Sequence, residues 1–432
     1  MFMDVTIHRG TDEIGGSCVE IATETTRLII DTGLPLVKPD REPFDSGFLR
    51  GKTTEQLIAD GVIPKVEGLY TAGDRPDAIL LSHSHMDHTG LLHLTAPEIP
   101  IYATSGTSKM MSAGAMFGGQ KQLDRSRHVE VVSTTPQTIG DITVTPYAVD
   151  HSAYGSVAFL LEAGGKTVLY SGDLRWHGRK PGMINDLVAA MQKRTIDVLI
   201  MEGTHVGTNR PKGITEYELE PKIVETMQES KGLVLASFSP IDLDRVVTYY
   251  KSAKAAGRVF VADAYTAYVM YLVHKQAGVP HPAKADDIRV YVNAWVARRN
   301  IPRITDLFQG ATITLDEILK SPQKHAMMFR PSMIDLDFGG KLPEACRCIY
   351  SYWQGYLEKP DWQKCQKHLE DARGDLVPRH ASGHIYEEDL VRFVKAVAPK
   401  TVIPIHTFEP AGFHGHFENV TRLTNGERFR VE

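Results

Sequence analysis

The chain has 432 residues and a net charge of −5 at neutral pH, with 42% hydrophobic and 23% charged residues. These values match a soluble globular protein, exclude a disordered or collagen-like polymer, and give no overall pull toward a polyanion. A chain this long is expected to form two domains, or one domain carrying a large insertion. The opening MFMDVTIHRG reaches Asp4 and Arg9 before any apolar stretch forms, and no window holds the roughly eighteen apolar residues of a membrane span. A cytoplasmic protein with no membrane partner is therefore expected. Cys18, Cys346, Cys348 and Cys365 fit no zinc-ribbon spacing and read as reduced structural thiols.

In chain order, five segments share one pattern: DAILLSH, TVTPYAVDH, KTVLYSGD, IDVLIMEG and KTVIPIH. Each is a β-branched or apolar run, typical of a buried strand, that ends in a histidine or carboxylate. An α/β architecture places its ligand-binding crevice at the C-terminal ends of its strands, so these residues are expected to converge on one edge. Helical periodicity is expected from about Glu216 to Ser230, and again from Ile241 to Ala256, where Val246, Tyr249 and Tyr250 form one face. A further helix follows Tyr386, with Leu390, Phe393, Val394 and Val397 as its stripe and Pro399 as its stop. Residues 208–378 contain their own strand and helix signals, including VLASFSP and RVFVADAY, and lack the metal-type strand ends. They read as an inserted domain between a first core segment, 1–207, and its completion, 379–432. The densest basic stretches of the insertion are KSAKAAGR, with Lys251, Lys254 and Arg258, and VARRNIPR, with Arg298, Arg299 and Arg303. Such stretches are ordinarily solvated faces; lining a cleft, they would hold a phosphate backbone without reading its sequence.

The strongest chemical signal is HSHMDHTG, which carries His83, His85, Asp87 and His88. Residues two apart in an extended segment point the same way, so His83 and His85 can share one metal, while Asp87 and His88 at the following turn can reach a second. From this composition the H-x-H-x-D-H string should arise by chance on the order of 1 time in 600. His151 is the candidate third imidazole of the first site. Asp173 is placed to bridge both ions, because a carboxylate offers two oxygens. A strand-end aspartate alone is more often a turn former. In HASGH, His380, Ser382 and the Gly383 amide can form a small anion nest.

With these motifs in order the chain resembles the metallo-β-lactamase superfamily, whose hallmark loop is H-x-H-x-D-H followed by a later His and Asp. RGTDEIGGSCVEI and LIIDTG, which ends in Asp31 and its glycine, are similar to the opening of that fold. In that position Asp31 is expected to orient a ligand histidine. MEGTH with Glu202, HASGH with His384, and IPIHTFEP with His406 follow in the order of the β-CASP nucleases, which include ribonuclease J. The resemblance implies an α/β fold, the αββα metallo-β-lactamase sandwich, with an inserted α/β β-CASP cap domain.

It also implies a metal-dependent nuclease that hydrolyses phosphodiester bonds of nucleic acid, single-stranded RNA before DNA, as exo- or endonuclease. The cofactors would be two divalent metal ions, Zn2+ with Mn2+ as the alternative, that activate a hydroxide. His406 would complete the second site with Asp87, His88 and Asp173. Glu202 and His384, with Asp87, would serve proton transfer and orientation. The SFSP turn, with Ser237 and Ser239, lies where ribonuclease J has a phosphate-contacting loop, although Ser239 or Asp242 serves equally as an ordinary helix cap. Two other readings stand beside this one: a small-molecule ester, thioester or lactone hydrolase of the same fold, and an inactive nucleic-acid-binding scaffold. The first lacks a use for the insertion, and the second commonly goes with missing metal ligands, whereas here every expected position is filled. A homodimer is among the assemblies left open.

Overall fold

Buried apolar residues recur at every second position along the first strands, as Val5 and Ile7, Val19 and Ile21, and Leu28 and Ile30. That period of two presents one continuous apolar face of a sheet. The structure is a computed structural model and describes residues 2–38, 41–208, 212–299 and 301–432. The side chains of Ser46, Pro302 and Arg303 also lie outside the described residues, and with them the basic contact expected of Arg303. The chain divides into two compact units, one of Met1–Trp176, Lys180–Lys212 and Gly383–Glu432, the other of His177–Arg179 and Gly213–Ser382.

The first unit holds two sheets. One has seven strands in the order Arg428–Arg430, Asp4–Arg9, Cys18–Ala22, Arg27–Ile30, Ala78–Leu80, Ile101–Thr104 and His128–Val131. The other has six, in the order Thr401–Ile405, Val198–Glu202, Lys166–Tyr170, Val157–Ala163, Ile142–Ala148 and Gln137–Ile139. Val5, Ile21 and Leu80 from the first sheet meet Phe159, Tyr170 and Ile200 from the second in one shared core. On the outer face of the second sheet, Leu160, Leu169 and Leu199 pack against Leu187 of helix Pro181–Met191 and Phe393 of helix Glu387–Val397. On the outer face of the first, Ile29, Ile79 and Leu81 pack with Leu57 of helix Thr54–Ala59 and Met111 of helix Ser105–Phe117. Two facing sheets, each covered by helices, make the expected αββα sandwich.

Helix Glu387–Val397 shows how local sequence builds these layers. Three acidic residues in its first turn oppose the positive end of the helix dipole, and Leu390, Phe393, Val394 and Val397 are buried. The helix closes on Ala398 in the left-handed region (φ 51°), immediately before Pro399.

The second unit is built on a six-stranded, wholly parallel sheet in the order Ile288–Tyr291, Val259–Asp263, His325–Met328, Val234–Ser237, Arg347–Tyr350 and Asp375–Pro378. The two helices expected after residue 208 run Glu216–Glu229 and Leu243–Ala255, the second capped by the Asp242 side chain on the Arg245 amide. Tyr249 is fully buried, whereas Tyr250 is half-buried and donates to Asp287. Arg258, expected as a basic surface residue, is instead a buried staple: its guanidinium donates to the carbonyls of Met227, Ser230, Gly232 and His325. Lys254 is paired with Asp287 at 2.9 Å, and Arg299 lies over the Trp295 ring. All four cysteines are free and buried. Among the described residues no helix is long and apolar enough to cross a membrane.

One buried ion pair makes stability dependent on pH. Glu20, on strand Cys18–Ala22, accepts from His8 at 3.1 Å and from Arg27 Nη2 at 2.9 Å. Burial opposes its charge, but these two donors outweigh it and hold the carboxyl down at about 2. The folded pKa lies below the unfolded value of about 4.3, so the contribution is fully present above that value and fades as pH falls toward the folded one. Glu20→Gln is expected to lose up to about 3 kcal/mol at pH 7, with the deficit against wild type narrowing as pH falls below about 4.3. Urea unfolding across a pH series measures it; a deficit that does not narrow with acidification contradicts the assignment.

Candidate metal centre

Six strands of the first unit, Arg27–Ile30, Ala78–Leu80, Ile142–Ala148, Lys166–Tyr170, Val198–Glu202 and Thr401–Ile405, end in or just before Asp31, His83, His151, Asp173, Glu202 and His406. Asp31 takes a left-handed backbone (φ 63°), a strained state for a non-glycine residue that persists where its surroundings over-determine it. Its side chain does so here. Oδ1 accepts the Ser82 amide at 2.8 Å, and Oδ2 accepts Ser82 Oγ at 2.7 Å, His88 Nδ1 at 2.8 Å and Tyr170 Oη at 2.9 Å. Gly33, two residues on, seats the histidine loop, since a Cβ there would lie 1.8 Å from the Asp87 carbonyl oxygen.

Hydrogen bonds set the ring tautomers. Ser82 Oγ gives its proton to Asp31 and so accepts from His83 Nδ1 at 3.0 Å, which leaves the lone pair on His83 Nε2. His151 Nδ1 donates to the Gly383 carbonyl at 2.6 Å, which leaves its lone pair on Nε2. Both lone pairs face His85 Nδ1, each at 3.1 Å. Burial pushes the His83 and His151 rings well below their ordinary pKa and lowers His85, so all three favour the neutral, ligating form.

The second cluster is Asp87, His88, Asp173 and His406. His406, also left-handed (φ 54°), directs Nε2 to Asp87 Oδ2 at 3.2 Å while Thr204 Oγ1 contacts its Nδ1 at 3.0 Å. Asp173 Oδ2 lies 3.1 to 3.8 Å from ring nitrogens of five histidines: His83, His88, His151, His384 and His406. Burial disfavours charge on Asp173, yet the neighbouring His406, His88 and His384 rings outweigh it and hold the carboxyl well below its usual range.

The residues fit divalent cations on a specific observation. His88 Nε2 and Asp173 Oδ2 are buried, 3.1 Å apart, and neither has a partner in hydrogen-bond geometry among the described residues. Such orphaned buried atoms are costly unless something positive satisfies them. Burial opposes a charged His88, but the Asp173, Asp31 and Asp87 carboxylates draw positive charge onto it, and the same field suits a metal ion. The donor set can hold one ion at His83, His85 and His151 and another at Asp87, His88, Asp173 and His406.

Beside the clusters, the buried Glu202 accepts from the Leu174 amide at 3.0 Å and lies 3.1 Å from His384 Nδ1. Burial alone would lower the His384 pKa, but Glu202 and Asp173 outweigh it and raise it to about 9. These two residues, with Asp173 and His406, form a third group whose atoms can reach one ion.

Of the residues expected to contact phosphate, Ser237 is buried and donates its hydroxyl to the Phe329 carbonyl at 3.1 Å. Ser239 is half-buried. His380 Nδ1 contacts the Ser351 carbonyl at 3.0 Å, and the Ser382 carbonyl lies 2.8 Å from His177 Nε2. Gly383 was expected to offer its amide; it also supplies the carbonyl that orients His151, and a Cβ there would meet Ser152 Oγ at 2.2 Å. Sequence patterns missed Thr204, whose Oγ1 lies 3.0 Å from His406 Nδ1 and 3.2 Å from His384 Nδ1, although it sits in the MEGTH motif itself. They also missed the Asp150–Arg175 pair at 2.8 Å, which braces the segment before His151 and the one after Asp173.

Residues 57–231 match the family described as a Beta-lactamase superfamily domain. Ribonuclease J of Helicobacter pylori is 20% identical over 414 residues, 92% of this chain and 55% of that protein. Ribonuclease J of Mycobacterium tuberculosis is 22% identical over 410 residues, 93% of this chain and 68% of that protein. An RNase J-like protein of Methanocaldococcus jannaschii is 26% identical over 435 residues, 92% of this chain and 91% of that protein. The chain thus spans little more than half the length of the Helicobacter relative. A crystal structure of a protein of unknown function from Enterococcus faecalis V583 superposes with a TM-score of 0.81 at 22% identity, covering 100% of both chains.

Removing the carboxylate that orients His88 tests the centre without touching a ligand. Asp31→Asn is expected to weaken uptake of divalent cation by about 10- to 100-fold, measured by competition with a chromogenic chelator. Unchanged affinity contradicts the role given to Asp31.

Proposed function

We propose that the chain, which matches a Beta-lactamase superfamily domain over residues 57–231 and is 20% to 26% identical to ribonuclease J and RNase J-like proteins, is a metal-dependent nuclease hydrolysing phosphodiester bonds of single-stranded RNA. The observation that carries this proposal is the single Asp173 oxygen set among five histidines, with the Glu202–His384 pair alongside. A site with two cation positions sharing one carboxylate suits displacement at phosphorus. Likeness to ribonuclease J over nine-tenths of the chain favours a polynucleotide over a small ester.

When bound, two divalent cations, zinc by the nitrogen-rich donor set with manganese as the alternative, would supply Lewis-acid charge stabilisation and bring the pKa of water in the site toward neutrality. His83, His85 and His151 would hold one, Asp87, His88 and His406 the other, with Asp173 between them. Asp31, Gly383 and Thr204 keep the lone pairs of His88, His151 and His406 turned inward, so the ligands need no reorganisation. Glu202 favours the protonated ring of His384 and fixes its orientation. His384 is therefore assigned the proton transfer to the departing oxygen, and Glu202 its positioning. Ser239, His380 and Ser382, on the second unit, are proposed phosphate contacts.

Metal-loaded protein incubated with end-labelled RNA and DNA carrying a 5′ phosphate or a 5′ hydroxyl is expected to cut RNA, and the product ladder distinguishes internal from terminal cleavage. Asp173→Ala and His85→Ala are expected to abolish cleavage and lower bound metal, whereas His384→Ala slows turnover roughly 100- to 10,000-fold with metal retained. Cleavage by metal-stripped protein at the wild-type rate, or hydrolysis of chromogenic esters with no action on any nucleic acid, would overturn the proposal.

A further inference from the structure

The second unit carries an arginine set apart from its neighbours. Arg258 is engaged on four carbonyls, and Arg245 is fully buried against Glu216 and the carbonyls of Ser351 and Ala381. Both are structural. Arg330 follows strand His325–Met328 at the C-terminal edge of the parallel sheet, the edge where such sheets bind ligands. Its Nε and Nη2 both donate to one oxygen of Asp263, at 3.2 and 3.0 Å, on the adjoining strand Val259–Asp263. The other Asp263 oxygen caps helix Ala264–Ala277 through the Thr266 amide and hydroxyl, at 2.8 and 2.6 Å. The carboxylate is thus locked, and it locks the guanidinium.

The Arg330 side chain is 30% exposed. The Tyr265 ring lies 5.6 Å from the guanidinium carbon, and the Tyr352 hydroxyl, which donates to the Phe238 carbonyl at 2.6 Å, lies against the guanidinium too and can accept from it. A guanidinium has five N–H donors, more than one carboxylate oxygen and one hydroxyl use, and a partly exposed planar fork oriented by a carboxylate with an aromatic flank is an arrangement that takes a phosphate oxygen.

The same sheet edge presents a stacking surface. Trp353, next to Tyr352, is 52% exposed, and its ring lies against Gly355, where a Cβ would come within 2.2 Å of it. One face of the ring is thereby held in place at little entropic cost on binding. Tyr356, 37% exposed, stands at 89° to it with centroids 5.4 Å apart, and Lys359 lies 4.3 Å over the Tyr356 ring. Exposed aromatics beside cations are how single-stranded nucleic acids are held without base-specific hydrogen bonds.

We propose that this edge of the second unit is a single-strand RNA-binding surface, in which Arg330 takes a backbone phosphate and Trp353 stacks a base. The inference rests on the polynucleotide reading above and assigns it two positioning residues that neither the motifs nor the basic stretches of the sequence indicate. No bond forms or breaks at this surface.

The test uses the full metal-loaded chain and a fluorescein-labelled oligouridylate with 2′-O-methyl phosphorothioate linkages, which resists cleavage, in anisotropy titrations over a salt series. Arg330→Lys keeps the charge but loses the planar fork, and is expected to weaken binding about 5- to 10-fold with the slope of log affinity against log salt little changed. Arg330→Met/Asp263→Asn removes the pair together, leaving no bare buried carboxylate while Asn keeps the helix cap, and should reduce that slope by up to about 0.7, the value for one lost phosphate contact on a single strand, with wild-type thermal unfolding. Trp353→Leu is expected to lose about 5- to 100-fold in affinity with the slope unchanged. Should the wild-type chain bind while these variants match it in affinity and slope, the surface is refuted and the nuclease proposal stands. Should the wild-type chain bind no oligonucleotide, the polynucleotide reading falls with it.

Discussion

The Asp31 carboxylate is the constraint on which the rest of the first unit depends. It stands at the end of a strand in one sheet, yet it accepts the hydroxyl of Tyr170 from a strand of the other. The two halves of the sandwich are therefore joined at the same atom that orients His88. The left-handed backbone of Asp31 is held by its own amide, which donates to the Leu80 carbonyl, and by the four donors to its carboxylate, the Ser82 amide, Ser82 Oγ, His88 Nδ1 and Tyr170 Oη. Strain of this kind, roughly 1 kcal/mol or more, survives only where several contacts agree on it. Fold and centre are thus one arrangement: the contacts that close the sandwich also orient the His88 ring.

Around that point the electrostatics pull in one direction. Neutral imidazoles, made so by burial, meet carboxylates whose charge is held by neighbouring rings. The lone pairs of His83 Nε2 and His151 Nε2 both face His85 Nδ1 at 3.1 Å, where a single ring proton cannot serve both fully. A divalent cation would satisfy all three donors together. Glu202 stands slightly apart. It is tied to the Leu174 amide and to His384, and so shapes the centre through another residue.

Much of the centre was legible because its chemistry is concentrated in short strings at strand ends. HSHMDHTG places four candidate donors within six residues, and the β period of two, followed by a turn, already implies two clusters. The αββα layers were legible only through resemblance, since alternating apolar strands fit several sheet architectures. Roles played by main-chain atoms left no mark: nothing in Gly383 as a letter predicts that its carbonyl meets His151, 232 positions away. Long-range pairs such as Asp150–Arg175 and Arg330–Asp263 are silent in the same way, because each partner is an ordinary charged residue until the fold brings them together. Local charge density misled at Arg258, whose stretch reads as a solvated basic face. In the fold the side chain turns inward to satisfy carbonyls at the ends of helix and strand.

The central claim is that Asp173 lies between two cations, one held by His83, His85 and His151, the other by Asp87, His88 and His406. Anomalous diffraction from crystals grown with zinc, recorded on both sides of the metal's absorption edge, addresses it most directly. Two peaks flanking the Asp173 carboxylate are predicted. A single peak away from that carboxylate, or none within reach of the histidines, would contradict the account.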